Sequence, residues 1–184
     1  MKWMVASDIH GSSFYCGQML AAFEKEKADR LLLLGDLLYH GPRNDLPKEY
    51  NPKAVIDMLN ERNDSIYCVR GNCDAEVDQM VLEFPIMADY CILSEGEHMI
   101  FATHGHIYGE SNPPQLHKGD ILLCGHTHVP TCKEHASFTY MNPGSVSLPK
   151  ENSHHGYMII EKGIFYWKYM EGNIVLQYDL PNNV

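Results

Sequence analysis

Apolar residues follow two rhythms along this chain, and the rhythm changes near residue 90. Before that point, short apolar runs at residues 3–7, 31–34 and 65–69 read as buried strands. Helical spacing fills the gaps between them. Met19, Leu20, Ala22 and Phe23 face a core from a helix capped by Ser12 or Ser13 and running to about Lys27. Val55, Ile56 and Leu59 mark a second helix, opened by Pro52 and running through Arg62. A polar loop over residues 39–51 precedes it, and a short helix over residues 74–82 follows the third strand.

Beyond residue 90 the elements become short and turn-separated. Residues 90–93 and 99–103 read as a hairpin-like pair about a Glu95-Gly96 turn, and residues 121–124 as a further strand. Residues 131–135, 138–142, 157–161, 164–169 and 174–178 continue the strand pattern, with Lys162-Gly163 and Gly172-Asn173 as tight turns. A βαβαβ first half and a mostly β second half predict an α/β fold of two packed sheets with helices on the outer faces. The 184 residues contain no repeat, linker or low-complexity stretch, so they read as one domain spanning 1–184.

Charge narrows the range of partners. A formal net charge of −10 argues against a protein that grips a nucleic-acid duplex through its phosphates. It fits a small anionic substrate caught by bound metal ions. The N-terminal segment runs straight into the first motif, leaving no room for a signal peptide, and the apolar run at 31–34 is far too short to span a bilayer. Six cysteines show no CxxC spacing and read as reduced and mostly buried. These features predict a cytoplasmic protein with no membrane partner.

The chemistry sits in five short motifs: Asp8-Ile9-His10, Gly35-Asp36, Gly71-Asn72-Cys73-Asp74, His104-Gly105-His106 and Gly125-His126-Thr127-His128. Four of the five follow an apolar run, which places them where a buried strand gives way to a loop. Ligands of open α/β sheets gather beyond the carboxyl ends of strands, so motifs far apart in sequence can converge there. Asp8 and His10, like His126 and His128, are two residues apart, which in an extended loop puts both side chains on one side. Carboxylate, carboxamide and imidazole donors without convergent thiolates suit Mn²⁺, Fe²⁺, Zn²⁺ or Ni²⁺. Two such ions about 3.5–4 Å apart can clamp a phosphoryl group and supply a metal-bound hydroxide as nucleophile. The residues therefore read as a two-metal hydrolase.

The ordered set D-x-H, G-D, G-N-x-D, H-G-H, G-H-x-H resembles the calcineurin-like metallophosphoesterases over residues 4–147, and the Asn142-Pro143-Gly144-Ser145 turn fits as well. The Tyr39-His40-Gly41-Pro42-Arg43-Asn44 stretch, and Glu76-Val77-Asp78-Gln79-Met80 after the third motif, are most similar to the small bacterial YfcE-like phosphodiesterases. The resemblance implies a four-layer αββα sandwich of two mixed sheets and a dinuclear centre. One metal would be held by Asp8, His10 and His128, the other by Asn72, His104 and His126, with Asp36 bridging. Mn²⁺ is the ion most often invoked for such enzymes, and the residue types also admit Zn²⁺, Fe²⁺ or Ni²⁺. The implied activity is hydrolysis of a small phosphodiester by a metal-bridging hydroxide. A phosphomonoesterase with the same centre and a non-catalytic binding scaffold are the alternatives.

One position departs from the common pattern. Many members of the superfamily carry histidine where this chain has Cys73, and there it contacts the phosphate and can protonate the leaving group. A thiol is a weak donor and, at an ordinary pKa of about 8.5, a mediocre acid. Asn72 and Cys73 are thus expected at the substrate, with a preference for diesters that have good leaving groups; a merely space-saving Cys73 is the alternative. His106 stands beside a metal donor and is expected to hydrogen-bond the phosphate or a ligand, in a supporting catalytic role. His40 and Arg43 are candidate substrate contacts, with a subunit interface as a second reading of Arg43, against plain solvated loop positions for both. His98, His117, His135, His154 and His155 read as surface residues, and Arg70 as half of a structural ion pair. The aromatic run Phe165, Tyr166, Trp167 and Tyr169 reads as packing or as an interface in a homo-oligomer.

Overall fold

The computed structural model describes residues 1–181. Its elements run β1 (Trp3–Ala6), α1 (Ser13–Glu26), β2 (Arg30–Leu33), α2 (Pro52–Asn60), β3 (Ile66–Cys68), α3 (Glu76–Gln79), β4 (Tyr90–Glu95), β5 (His98–Thr103), β6 (Ile121–Leu123), β7 (Thr131–Glu134), β8 (Thr139–Asn142), β9 (Gly156–Glu161), β10 (Ile164–Tyr169) and β11 (Ile174–Asp179). They build two mixed sheets. The six-stranded sheet has the order β11-β10-β9-β1-β2-β3, and the five-stranded sheet β4-β5-β6-β8-β7. Within the first, β1, β2 and β3 are parallel, and β9 returns antiparallel to β1. In the second, β5, β6 and β8 are parallel and flanked by antiparallel edges.

The alternation of side chains across each strand divides the core. Val5, Leu32, Leu34 and Val69 meet Ile100, Ile121, Leu123 and Met141 between the sheets, together with Phe165 and Trp167. Met4, Leu31 and Leu33 point the other way, against Met19 and Phe23 of α1 and Val55 and Leu59 of α2. The β10 aromatics thus split as expected, Phe165 and Trp167 buried and Tyr169 exposed. On the far face of the five-stranded sheet, Phe101, Leu122, Phe138 and Tyr140 are covered by Tyr108 and Leu116 from the loop after β5. The helices are therefore few, and the long ones pack on the six-stranded sheet.

Local chemistry sets the element ends. Ser12 caps α1 by accepting the Tyr15 N–H at 3.2 Å, while its own hydroxyl donates to the Lys48 carbonyl at 2.6 Å. Asn51 caps α2 from the position before Pro52. The helix expected over residues 74–82 shortens to Glu76–Gln79. Asp74 is withdrawn from it because its carboxylate binds backbone elsewhere. The far end is stopped by the Gln79 amide, which bonds Leu82 O, Phe84 O and Ile86 N and folds the chain back. The hairpin turn lies one residue later than expected, at Gly96-Glu97, since Glu95 still pairs with His98 and accepts the Gly163 N–H. His98, expected at the surface, is buried with Nδ1 hydrogen-bonded to Gly119 O. All six cysteines are free; Cys16, Cys68 and Cys124 are buried and the other three half-buried. No helix among the described residues is long and apolar enough to cross a membrane.

Candidate metal centre

Every one of the five motifs begins within about four residues of a strand's carboxyl end. The six-stranded sheet delivers Asp8 and His10 after β1, Asp36 after β2 and Asn72 after β3; the five-stranded sheet delivers His104 after β5 and His126 and His128 after β6. Their donor atoms meet. His128 Nε2 lies 3.2 Å from Asp8 Oδ1 and 3.2 Å from His10 Nε2. His104 Nε2 lies 3.0 Å from Asn72 Oδ1 and 3.2 Å from His126 Nδ1. Asp36 Oδ2 stands between these groups, 3.7 Å from His10 Nε2 and 3.5 Å from His104 Nε2.

Three imidazoles are oriented by backbone carbonyls: His10 Nδ1 on Tyr39 O at 2.8 Å, His104 Nδ1 on Leu34 O at 2.6 Å and His128 Nδ1 on Leu148 O at 2.6 Å. A carbonyl only accepts, so each Nδ1 carries the proton and each Nε2 turns a lone pair inward. Neutral rings would then set lone pair against lone pair at His10 and His128. Asp8 Oδ1, fully buried, has no hydrogen-bond donor at all. Converging lone pairs and an unpartnered carboxylate oxygen are what a cation resolves, so these residues fit divalent metal ions. Asp8-His10-His128 and Asp8-Asp36-His104 each bring their donors within 4.8 Å of one another.

Electrostatics agree. Burial alone would raise Asp8, but the imidazoles of His10 and His128 beside it, with His104 nearby, hold it well below the usual carboxylate range. Burial and the neighbouring His104 push His126 down, which keeps its ring neutral and able to donate a lone pair. For His10, burial works against the charged ring, yet the adjoining Asp8 carboxylate outweighs it and raises the pKa.

The backbone that aims these donors is not the extended loop expected from the spacing. Asp8 (φ 59°), His10 (48°), Asp36 (57°), His126 (67°) and His128 (63°) all adopt left-handed conformations. Each kink turns a side chain back toward the centre, at a cost of order 1 kcal/mol or more per residue. Five strained donors in one cluster are a mark of a functional site, and spacing alone did not show it.

Three groups that sequence reasoning left out of the site hold it in place. Asp74, buried, accepts the backbone N–H groups of Asp36 (2.8 Å), Leu37 (2.9 Å) and Gly71 (2.7 Å), tying the second motif to the third. Ser145 and Ser147 both donate to the Asp8 carbonyl, at 2.8 and 3.1 Å. Asn142 donates to Gly125 O at 2.6 Å and itself anchors Trp167 Nε1 through its carbonyl. The Asn-Pro-Gly-Ser turn was the available signal for the last two. Close approach also explains two glycines: a Cβ at Gly71 would stand 2.1 Å from Asp36 Oδ1, and one at Gly125 only 1.9 Å from Ser7 Oγ.

A cleft of about 420 Å³ opens over the cluster, lined by His10, Asp36, Asn72, Cys73, Arg43 and Lys150 among others. Asn72 and Cys73 are therefore where a substrate would meet the donors, and Asn72 Nδ2 points at Cys73 Sγ at 3.2 Å. Arg43 reaches the cleft, but His40 does not line it; its carbonyl instead accepts Asn44 Nδ2 and shapes the loop. His106 lies edge-on to His104 with ring centroids 5.3 Å apart and does not line the cleft either. Burial and His104 lower its pKa. A larger cavity, about 540 Å³, opens elsewhere at Glu95–His98 and Lys162–Ile164, and its lining includes none of these donors.

Metal donors gathered from the strand ends of two packed sheets define a metal-dependent phosphoesterase. The chain belongs to the calcineurin-like phosphoesterase superfamily, whose domain model matches residues 1–162. It is 44% identical over 164 residues to phosphodiesterase YfcE of Escherichia coli K12, covering 89% of each chain. The solved structure of YfcE, described as a phosphoesterase from E. coli, superposes with a TM-score of 0.94 at 41% identity, over 98% of this chain and 100% of that one. The fold alone is shared with Entamoeba histolytica Vps29, crystallised with Zn²⁺, at a TM-score of 0.61 and 19% identity over 98% and 100% of the two chains.

Proposed function

We propose that this protein is a phosphodiesterase with a dinuclear metal centre that hydrolyses a small phosphodiester. The observation that carries the reading is the convergence of seven donors from two sheets, with three imidazoles held by backbone carbonyls so that their lone pairs face inward. The 44% identity to an E. coli phosphodiesterase supports the diester over the monoester. Asp8, His10 and His128 would hold one ion, Asn72, His104 and His126 the other, and Asp36 would touch both. Mn²⁺ fits this donor set, as do Zn²⁺, Fe²⁺ and Ni²⁺. Divalent ions supply a water of lowered pKa and neutralise charge at phosphorus.

The protein's own groups orient the ester. Asn72 offers a carboxamide at the mouth of the centre, beside Cys73. The Cys73 thiol does not have the ordinary acidity expected from its type: burial, then the carboxylates Asp36, Asp74 and Asp8, push it up to about 12. Burial by itself favours the protonated thiol, which is a poor nucleophile and a weak general acid near neutral pH. That supports diesters whose leaving group departs without protonation.

The test is hydrolysis of bis-p-nitrophenyl phosphate beside p-nitrophenyl phosphate, on metal-stripped protein with and without Mn²⁺. Diester turnover restored by metal and reduced at least 100-fold in Asn72→Ala is the expected result. Monoester preference would favour a phosphatase. No turnover with any divalent ion, despite tight metal binding, would leave a non-catalytic scaffold as the better reading. In a second experiment, Cys73→His should raise monoester activity relative to diester activity; an unchanged ratio would remove Cys73 from the specificity argument.

A further inference from the structure

The cleft carries a charge pattern that the metal donors do not use. In a chain of net charge −10, the cations Arg43 and Lys150 both line it. Neither side chain has a hydrogen bond or ion pair among the described residues. Five of the other twelve cations are paired with carboxylates: Lys2 and Lys168 bind Glu26, Arg62 binds Glu24, Arg70 binds Glu76 and Lys133 binds Glu110. The one carboxylate lining the cleft, Asp36, faces His10, His104 and the Cys73 N–H.

The backbone on either side of both cations is anchored. The Lys150 N–H donates to the carbonyl of His128 at 3.2 Å, and Ser153 closes the same turn onto the Lys150 carbonyl at 2.6 Å. Arg43 sits in a turn closed by Asn44, whose Nδ2 donates to His40 O at 2.8 Å. Across the wall formed by His126 and Thr127 lies a second cavity of about 470 Å³, lined by Glu110, Ser111, His135 and Tyr140, with no cation in its lining. Its one carboxylate, Glu110, is paired with Lys133, so the unpaired positive charge beside the centre lies on the cleft side.

We infer that Arg43 and Lys150 form a subsite for a second anionic group, and that the substrate class is a phosphodiester carrying a further phosphate on one arm. This rests on the phosphodiesterase reading above. A guanidinium matches two phosphate oxygens and an ammonium adds a mobile point charge, while the scissile group answers to the metal donors.

Thymidine 5′-(p-nitrophenyl phosphate) and its 3′-phosphorylated form differ by only that phosphate. With Mn²⁺-loaded protein at low salt, the 3′-phosphorylated ester should show a kcat/KM roughly tenfold higher, expressed in KM and shrinking as salt rises. Arg43→Gln and Lys150→Gln should each remove about threefold of that preference, and Lys150→Arg should retain it. Calorimetry gives a readout independent of turnover: thymidine 3′,5′-bisphosphate should bind more tightly than thymidine 5′-phosphate, and Lys150→Gln should cut the difference about threefold. Equal kcat/KM for the two esters with equal binding of the two nucleotides would overturn the subsite and leave the phosphodiesterase standing. A preference untouched by either substitution would also overturn it. No turnover of either ester, with the Lys150-dependent binding preference intact, would overturn the phosphodiesterase reading and support the subsite.

Discussion

Asp74 illustrates how much of this site lies behind its donors. Its carboxylate accepts three backbone N–H groups and so fixes the distance between the loops that present Asp36 and Asn72. Burial, and the nearby charge of Asp36, raise its pKa despite these bonds, so the arrangement costs desolvation energy that the hydrogen bonds offset only in part. Asp74→Asn would turn an amide N–H toward at least one of those donors. The expected result is a stability loss of about 2–4 kcal/mol in urea and a 10- to 100-fold weaker metal affinity by titration. Unchanged affinity would mean that the loops hold their spacing without it. The signal for Asp74 was visible in the Gly-Asn-Cys-Asp motif, but the motif names no partners, and only the fold brings Asp36 within its reach.

Among the elements, the end of α1 shows a charge cluster whose sign can be tested. Glu26 accepts hydrogen bonds from Lys2 at 3.0 Å, Lys168 at 2.5 Å and Tyr157 at 3.0 Å, joining α1 to β10, β9 and the segment before β1. Its side chain is 10% exposed. Burial would raise its pKa, yet the three bonds together hold it below the ordinary carboxylate value. A depressed folded pKa stabilises the protein above the unfolded value of about 4.3 and loses that contribution as pH falls through the folded value. Glu26→Gln should therefore cost about 1–2 kcal/mol at pH 7 and progressively less below pH 4, measured as the gap between the two urea midpoints. A gap independent of pH would assign the effect to shape instead of charge. The strands and long helices were legible from periodicity because burial on one face repeats along the chain. The stop of α3 was not, since it depends on a Gln79 amide meeting three backbone groups up to seven residues away.

At the scale of the whole molecule, donors from both sheets meet at the candidate centre, so metal bound there would staple the two sheets together. Donors from both sheets would share the same ions, so metal binding should stabilise the folded state as a whole. With free metal at about a thousand times its dissociation constant, linkage contributes about 4 kcal/mol. Chelation should then lower Tm by roughly 10 °C for a chain of this size, and added Mn²⁺ should restore it. An unchanged Tm would count heavily against metal binding at this position.

By itself, the sequence determined which residues could donate to a metal, that their motifs follow strands, and that the chain alternates βαβ units with a run of short strands. These follow from local rules: residue chemistry, the period of apolar positions and the preferences of Ser, Asn, Pro and Gly at element ends. Tertiary structure decided the rest. It set the left-handed backbone at five donors, which is strain only the surrounding packing can hold. It drew Asn142, Ser145 and Ser147 behind Asp8 and Gly125 across more than a hundred residues for Asp8, and buried His98 against Gly119. It also pushed Cys73 up to about 12, first by burying it and then by placing carboxylates from separate motifs around it. Those properties depend on distances between segments remote in sequence, and no local pattern encodes a distance.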